Sequence, residues 1–216
     1  MSVRKRVGVL ISGNGSNLQA LIDASYEQEY PAKIALVISN KSNAFGLRRA
    51  AKAAIPTCIF ENKAYSNREN LERDINLALH KADCDIVCLA GFMQIFSQKF
   101  AETWEGKILN IHPSLLPSFK GLHAQRQALE AGVKITGCTV HLVTAKVDDG
   151  PIILQAAVPV MDKDNEASLS ARILEQEHQI YQKGLAILAT GLIQIKGRRT
   201  FIAQASSNMQ HQAFSC

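Results

Sequence analysis

The sequence predicts an open α/β sheet, parallel in its N-terminal half and antiparallel toward the C-terminus. Three observations carry that prediction. Short, nearly continuous apolar runs alternate with helical patterns over the first hundred or so residues. After about Gly121 two strand-like runs follow one another across a loop too short to hold a helix. Hydrophobic residues make up 47% of the 216, enough to build one sizeable core, and the chain is too short for two well-packed ones.

Val7 to Ile11 is apolar apart from one glycine, which fits a strand buried on both faces. A glycine-rich turn follows, and then Leu18, Ala20, Leu21 and Ile22 recur at helical spacing. Ile34 to Ile38 reads as a second strand, Phe45 to Ala54 as an alanine-rich helix, and Thr57 to Phe60 as a short third strand. Arg68 to Lys81 sets Leu71, Ile75, Ala78 and Leu79 on one helical face. Ile86 to Ala90 and Ile108 to Ile111 are further strands, separated by a segment around Met93 to Trp104. Right-handed βαβ units and a parallel sheet follow from this alternation.

Thr136 to Val143 and Pro151 to Val158 should pair antiparallel across their short loop. A helix over Ala167 to Thr190 and a strand pair around Ile193 to Ile202 complete the pattern. No internal repeat or linker interrupts it. One Rossmann-like domain is therefore expected over residues 1–203, with a polar, flexible tail over 204–216.

The net charge is +5, from 24 basic and 19 acidic residues, and it is spread along the chain. Basic clusters at Arg4-Lys5-Arg6 and at Lys196, Arg198 and Arg199 have no aromatic interleaving. They read as solvated strand flanks, and no nucleic-acid partner is expected. Cys58, Cys84, Cys88, Cys138 and Cys216 are odd in number, widely spaced and without a CxxC pair, which argues against a disulfide framework or a zinc site. No run approaches the roughly 20 apolar residues of a membrane helix. A cytoplasmic protein without a membrane or metal partner is expected, as a monomer or homodimer.

Ser12-Gly13-Asn14-Gly15-Ser16-Asn17 lies between the first strand and the first helix. Glycines there expose backbone N–H groups, and the helix start adds partial positive charge, which together suit a phosphate. The same residues also suit a plain turn in which Ser16 or Asn17 caps the helix. A dinucleotide fingerprint fails, because Leu18 stands where a small residue is needed and Ser39-Asn40-Lys41 offers no acid for a ribose. A Walker A loop fails too, since Asn14-Gly15 follows Gly13 where Lys-Ser/Thr is required. A small phosphate monoester is what remains.

The run Leu109-Asn110-Ile111-His112-Pro113-Ser114-Leu115-Leu116-Pro117 ends the fifth strand. Side chains on a strand alternate, so Asn110 and His112 share a face at the carboxyl edge, where open α/β sheets bind ligands. Pro113 biases His112 toward an extended conformation. Asp148-Asp149-Gly150 is an ordinary turn by composition, yet its carboxylate, set beside His112, would favour the charged imidazole. An Asn/His/Asp set suits acyl transfer to an amine. Asn110 can donate to the oxyanion of a tetrahedral species, and His112 can move protons. No serine or cysteine nucleophile is needed, and Cys88 and Cys138 fall in strands expected to be buried and inert.

Asn110 to Pro117, taken with Asp148-Asp149-Gly150 and Ser12 to Asn17, resembles the folate-dependent formyltransferases over about Val7 to Gly191. That resemblance implies a formyltransferase-like fold and transfer of a formyl group from 10-formyltetrahydrofolate to the amine of glycinamide ribonucleotide, a step of purine biosynthesis. It implies Asn110, His112 and Asp148 as catalytic residues, and no metal. Gly13, Gly15, Ser16, Asn17 and Glu177 correspond to the phosphoribosyl substrate site. Arg68, Met93, Gln94, Ile95, Phe96, Asn110, Thr144, Ala145, Lys146 and Val147 correspond to the folate site. Gln94 departs from the arginine of many members, and Leu174 from a lysine near the phosphate in some.

The alternative is a formyltetrahydrofolate hydrolase, with water as acceptor. Such enzymes carry a regulatory domain ahead of the catalytic sheet, for which the residues before Val7 leave no room. A methionyl-tRNA formyltransferase would share the His-Pro-Ser-Leu-Leu-Pro run but needs a C-terminal barrel and no phosphate turn. A non-catalytic folate or phosphate binder would not need the full Asn/His/Asp set.

Overall fold

Nine strands and six α-helices follow one another in a computed structural model that describes residues 3–203; the tail expected over 204–216 lies outside them. The order is β1 (Lys5–Ile11), α1 (Ser16–Ser25), β2 (Ala32–Ser39), α2 (Phe45–Lys52), β3 (Thr57–Ile59), α3 (Arg68–Lys81), β4 (Ile86–Leu89), α4 (Gln98–Thr103), β5 (Ile108–His112), α5 (Ala124–Glu130), β6 (Ile135–Leu142), β7 (Ile152–Pro159), α6 (Glu166–Ala189), β8 (Ile193–Lys196) and β9 (Arg199–Ile202). The first seven strands form one sheet in the order β3-β2-β1-β4-β5-β6-β7, and β8 pairs with β9 in a separate hairpin.

Pairing is parallel from β3 through β5 and antiparallel from β5 to β6 and β6 to β7. The strand order reverses between β1 and β4, so the crevice of a doubly wound sheet opens at their carboxyl ends. Val7, Val9 and Ile11 pack into the core under α1 and α6, while Leu10 faces the core under α3. This two-sided burial is why β1 is written as an unbroken apolar run rather than an alternating one.

Helix ends are set locally where the sequence supplies caps. Asn67 accepts the Asn70 N–H at the start of α3, and Asn165 forms a reciprocal box with Ser168 at the start of α6. Tyr181, fully buried on α6, donates its hydroxyl to Leu89 O at 2.8 Å, with Leu109 O at 3.2 Å. The longest helix is thereby tied to the two central strands that approach the crevice.

Two helices were not foreseen. α4 and α5 have six and seven residues, too few to show a helical period, and α5 buries only Ala124 and Ala128. The basic clusters serve as ties within the fold. Arg4 donates to Ser25 O and Ala32 O, Arg6 to Ala82 O, and Lys5 pairs with Asp85 at 3.3 Å. Cys84, Cys88 and Cys138 are buried free thiols and Cys58 is half-buried. Among the described residues no helix is long and apolar enough to cross a membrane.

Candidate active site

β1 ends at Ile11, and the chain turns at Gly13 to Gly15 before α1 begins at Ser16. Gly15 holds the N-cap position with φ 72°, and no side chain caps the helix. A Cβ on Gly15 would stand 2.7 Å from Gly46 Cα, so glycine is required both by the backbone angle and by the close approach of α2. The plain-turn reading, with Ser16 or Asn17 as the cap, is therefore not what forms. The first turn of α1 also lacks an acid of its own, so its partial positive charge is not offset from within the helix.

Asn17 turns the other way, into the fold. Its Nδ2 donates to Glu177 Oε2 on α6 at 2.7 Å, and its Oδ1 is buried without a partner. Burial pushes the Glu177 carboxyl up to about 7, against the lowering effect of the Asn17 bond. Leu174, one turn earlier on the same helix, adds no charge. Arg49, which the sequence reading passed over, fastens the turn from α2. Its guanidinium donates to Asn14 O at 3.0 Å and to Asn14 Oδ1 at 2.9 Å. An open recess of about 630 Å³ beside it is lined by Ser12, Gly13, Asn14, Lys41, Phe45 and Arg49, and contains none of Asn110, His112 and Asp148.

Those three residues meet at the end of β5. His112 Nδ1 lies 3.3 Å from Asp148 Oδ2, and both side chains are about nine-tenths buried. His112 Nε2 lies 2.9 Å from Phe119 O. A carbonyl only accepts, so Nε2 carries a proton and Nδ1 is the nitrogen turned to the carboxylate. Asp148 has φ 47° and accepts the Gly121 N–H at 2.8 Å. Gly150 lets this loop close down, because a Cβ there would meet Leu142 O at 1.8 Å. The Leu116-Pro117 bond, left open by the sequence, is cis.

His141 belongs to this cluster and was missed. It faces Asn110 across the antiparallel β5–β6 pair. Its Nδ1 donates to Leu142 O at 3.0 Å, leaving Nε2 to accept from Asn110 Nδ2 at 3.0 Å. Burial holds the His141 imidazole below its ordinary pKa, the Leu142 and Asp148 oxygens opposing, in keeping with that neutral form. Its Nε2 is 3.7 Å from Asp148 Oδ1. Thr139, opposite His112, donates to Ser114 O at 2.7 Å and accepts the Leu116 N–H at 3.0 Å, fixing the chain after the histidine. Both were readable only once β6 is paired antiparallel to β5.

Apart from Arg68 and Asn110, the positions expected for folate fall in two stretches, 93–96 and 144–147. In the first, Met93 and Ile95 are exposed, Phe96 is buried between Phe92 and Phe100, and Gln94 Oε1 is buried without a partner. The Met93 N–H donates to Ser12 Oγ at 2.8 Å, joining the β4 and β1 ends across the crevice. Arg68 reaches this stretch indirectly: its Nε lies 3.8 Å from Glu72, which accepts from the Ser97 N–H and hydroxyl. The second stretch is Thr144 to Val147, exposed throughout, immediately before Asp148. Among the described residues no group of three or more His, Cys, Asp or Glu side chains gathers as for a metal ion.

The sequence matches the formyl transferase family over residues 5–185. It is 54% identical over 192 residues to the trifunctional purine biosynthetic protein adenosine-3 of Homo sapiens, covering 89% of this chain but only 19% of that protein's length. It is 44% identical over 198 residues to phosphoribosylglycinamide formyltransferase of Haemophilus influenzae, covering 92% and 93% of the two chains. The fold superposes on the crystal structure of glycinamide ribonucleotide transformylase 1 from Symbiobacterium toebii with a TM-score of 0.92, at 47% identity and over 94% and 96% of the chains.

Proposed function

The chain belongs to the formyl transferase family, alongside the phosphoribosylglycinamide formyltransferases, and from that premise we propose that it moves the formyl group of 10-formyltetrahydrofolate onto the amine of glycinamide ribonucleotide in purine biosynthesis. One observation carries the choice of acceptor. An uncapped helix start at the end of β1 lies two strands from the His112–Asp148 pair at the end of β5. Strands neighbour one another at about 4.8 Å, so the two stations are about 10 Å apart. That is the reach of a phosphoribosyl group with its phosphate on the N–H groups of Gly15, Ser16 and Asn17 and its amine at His112. A hydrolase, needing only water, has no use for the first station.

In this reading Gly13 to Asn17 hold the phosphate and Glu177 accepts from the ribose hydroxyls. Met93, Ile95 and Val147 offer exposed apolar surface, and the unpartnered Gln94 Oε1 can accept from a heterocyclic edge. That combination fits a pterin, with the main chain of 93–96 and 144–147 and the Arg68 guanidinium completing the folate site.

The chemistry follows from the hydrogen bonds. The amine lone pair forms the new C–N bond as the formyl π electrons move to oxygen. Asn110 has one N–H committed to His141 and the second free to donate to that oxygen. Phe119 O keeps the imidazole in one orientation, so that Nδ1, beside Asp148, is the working nitrogen. His112 carries a proton from the attacking nitrogen to the leaving folate nitrogen, the C–N bond to the carrier breaks, and tetrahydrofolate leaves. Asp148 stabilises the imidazolium at each passage. The catalytic unit spans residues 1–203 and works in the cytoplasm without a metal ion, as a monomer or homodimer.

The deciding experiment follows tetrahydrofolate release from 10-formyltetrahydrofolate with and without glycinamide ribonucleotide. Turnover that requires the ribonucleotide is expected. Turnover that proceeds equally without it, giving free formate, would make the chain a hydrolase and overturn the assignment.

A further inference from the structure

The three-residue turn Phe119-Lys120-Gly121 touches both acid–base side chains. Phe119 O holds His112 Nε2 at 2.9 Å, and the Gly121 N–H donates to Asp148 Oδ2 at 2.8 Å. The turn is an awkward one to hold. Phe119 and Gly121 both have left-handed backbone angles, φ 53° and 78°, and a phenylalanine adopts that region only when its surroundings impose it. α5 gives part of the support, since Gln127 Nε2 donates to Lys120 O at 3.1 Å and to Leu122 O at 2.9 Å.

The rest comes from charge. Lys120 Nζ donates to Asp149 Oδ1, and Arg198 Nη1 donates to Asp149 Oδ2 at 2.8 Å. Asp149 is the next residue after Asp148, and Lys120 and Arg198 hold its carboxyl down to about 2. Arg198 lies in the turn of the β8–β9 hairpin, which is itself docked on the sheet by Thr200 Oγ1 donating to Ile152 O at 2.6 Å. Hairpin, Asp148 loop and 119–121 turn are thus joined through one carboxylate.

Resting on the formyl-transfer reading, we propose that Asp149, Lys120 and Arg198 are positioning residues, through which the C-terminal hairpin fixes the turn that orients His112 and Asp148. An exposed ion pair adds little to stability, so the bridge should be felt as geometry at the reacting groups. A misplacement of about 1 Å there costs up to about 100-fold in rate.

The test compares Asp149→Asn, Arg198→Ala, Arg198→Lys and the Asp149→Asn/Arg198→Ala pair in the full chain by steady-state kinetics and by hydrogen exchange at the Gly121 amide. Asp149→Asn should lower kcat about tenfold and Arg198→Ala about threefold, with KM for the ribonucleotide within about twofold. The pair should be no slower than Asp149→Asn alone, because both changes break one bridge. Arg198→Lys should recover kcat to within about twofold. Gly121 exchange should quicken about tenfold in Asp149→Asn and return to the wild-type rate in Arg198→Lys. Unchanged kcat, multiplied losses in the pair, or a loss confined to ribonucleotide KM would overturn the proposal. Exchange reads the bridge whatever reaction the chain performs, so an unaltered Gly121 rate overturns it even where no formyl transfer is found. Should Asp149→Asn not fold, the Arg198 variants, on an exposed side chain, decide by the same measures.

Discussion

Replacing Glu177 by glutamine should stabilise the fold and weaken ribonucleotide binding in one step. The buried Glu177 carboxyl is pushed up to about 7 from an ordinary 4.5, chiefly by desolvation. Its value in the folded state lies above that in the unfolded chain. The stability it contributes is therefore complete below about pH 4.5 and is lost as pH rises through 7. At about 1.36 kcal/mol per pH unit, keeping the carboxylate charged in the folded protein above pH 7 costs on the order of 3 kcal/mol. Glutamine removes that cost and keeps an oxygen to accept from Asn17 Nδ2. For a chain of this size about 1 kcal/mol moves Tm by about 2–4 °C. Glu177→Gln should then melt about 6–12 °C above wild type at pH 8 and within about 3 °C of it at pH 5. Circular-dichroism melts at the two pH values measure this directly. The same variant should raise KM for the ribonucleotide about tenfold or more, because an amide is a poorer acceptor for ribose hydroxyls. A Tm shift equal at both pH values, or a loss of stability at pH 8, would refute the argument from burial.

Three further outcomes are expected. His112→Ala should lower kcat by roughly two to four decades, as for a lost acid–base group, and near-normal single-turnover rates would remove His112 from the chemistry. Asp148→Asn keeps an acceptor for the Gly121 N–H, so it should melt close to wild type while losing about 100-fold in kcat; unchanged kcat would return Asp148 to a turn role. Gly15→Ala should cost about 1–3 kcal/mol in denaturant unfolding, because it strains a left-handed residue and drives a methyl against Gly46. Gly13→Ala meets nothing within 4 Å and should leave stability unchanged, so equal losses at both glycines would defeat the steric reading.

Much of the fold was legible because period and burial are written locally. Apolar runs of four or five residues marked the strands that are buried on both faces, and the 68–81 helix has the bounds its spacing predicts. α4 and α5 escaped because a helix of six or seven residues makes two turns at most and buries only two side chains each. The strand pair after α6 was foreseen, but its use was not. Nothing around Ile193 to Ile202 announces that Arg198 reaches a carboxylate 49 residues earlier in the chain.

Local sequence was enough for the order of the elements other than α4 and α5, the shared face of Asn110 and His112, and the glycine turn before α1. These rest on interactions within a few residues: strand alternation, helical spacing and the freedom of glycine. Tertiary structure alone decided which residues completed the site. His141 joins Asn110 only because β5 and β6 run antiparallel in one register. Asn17 finds Glu177 160 residues away because α1 and α6 lie on the same side of the sheet, and the burial they create is what shifts the acid. Phe119 O becomes the second partner of His112 through a turn whose positive backbone angles no composition signals. Partners distant in sequence leave no periodic trace, and burial belongs to the assembled fold rather than to any segment of it.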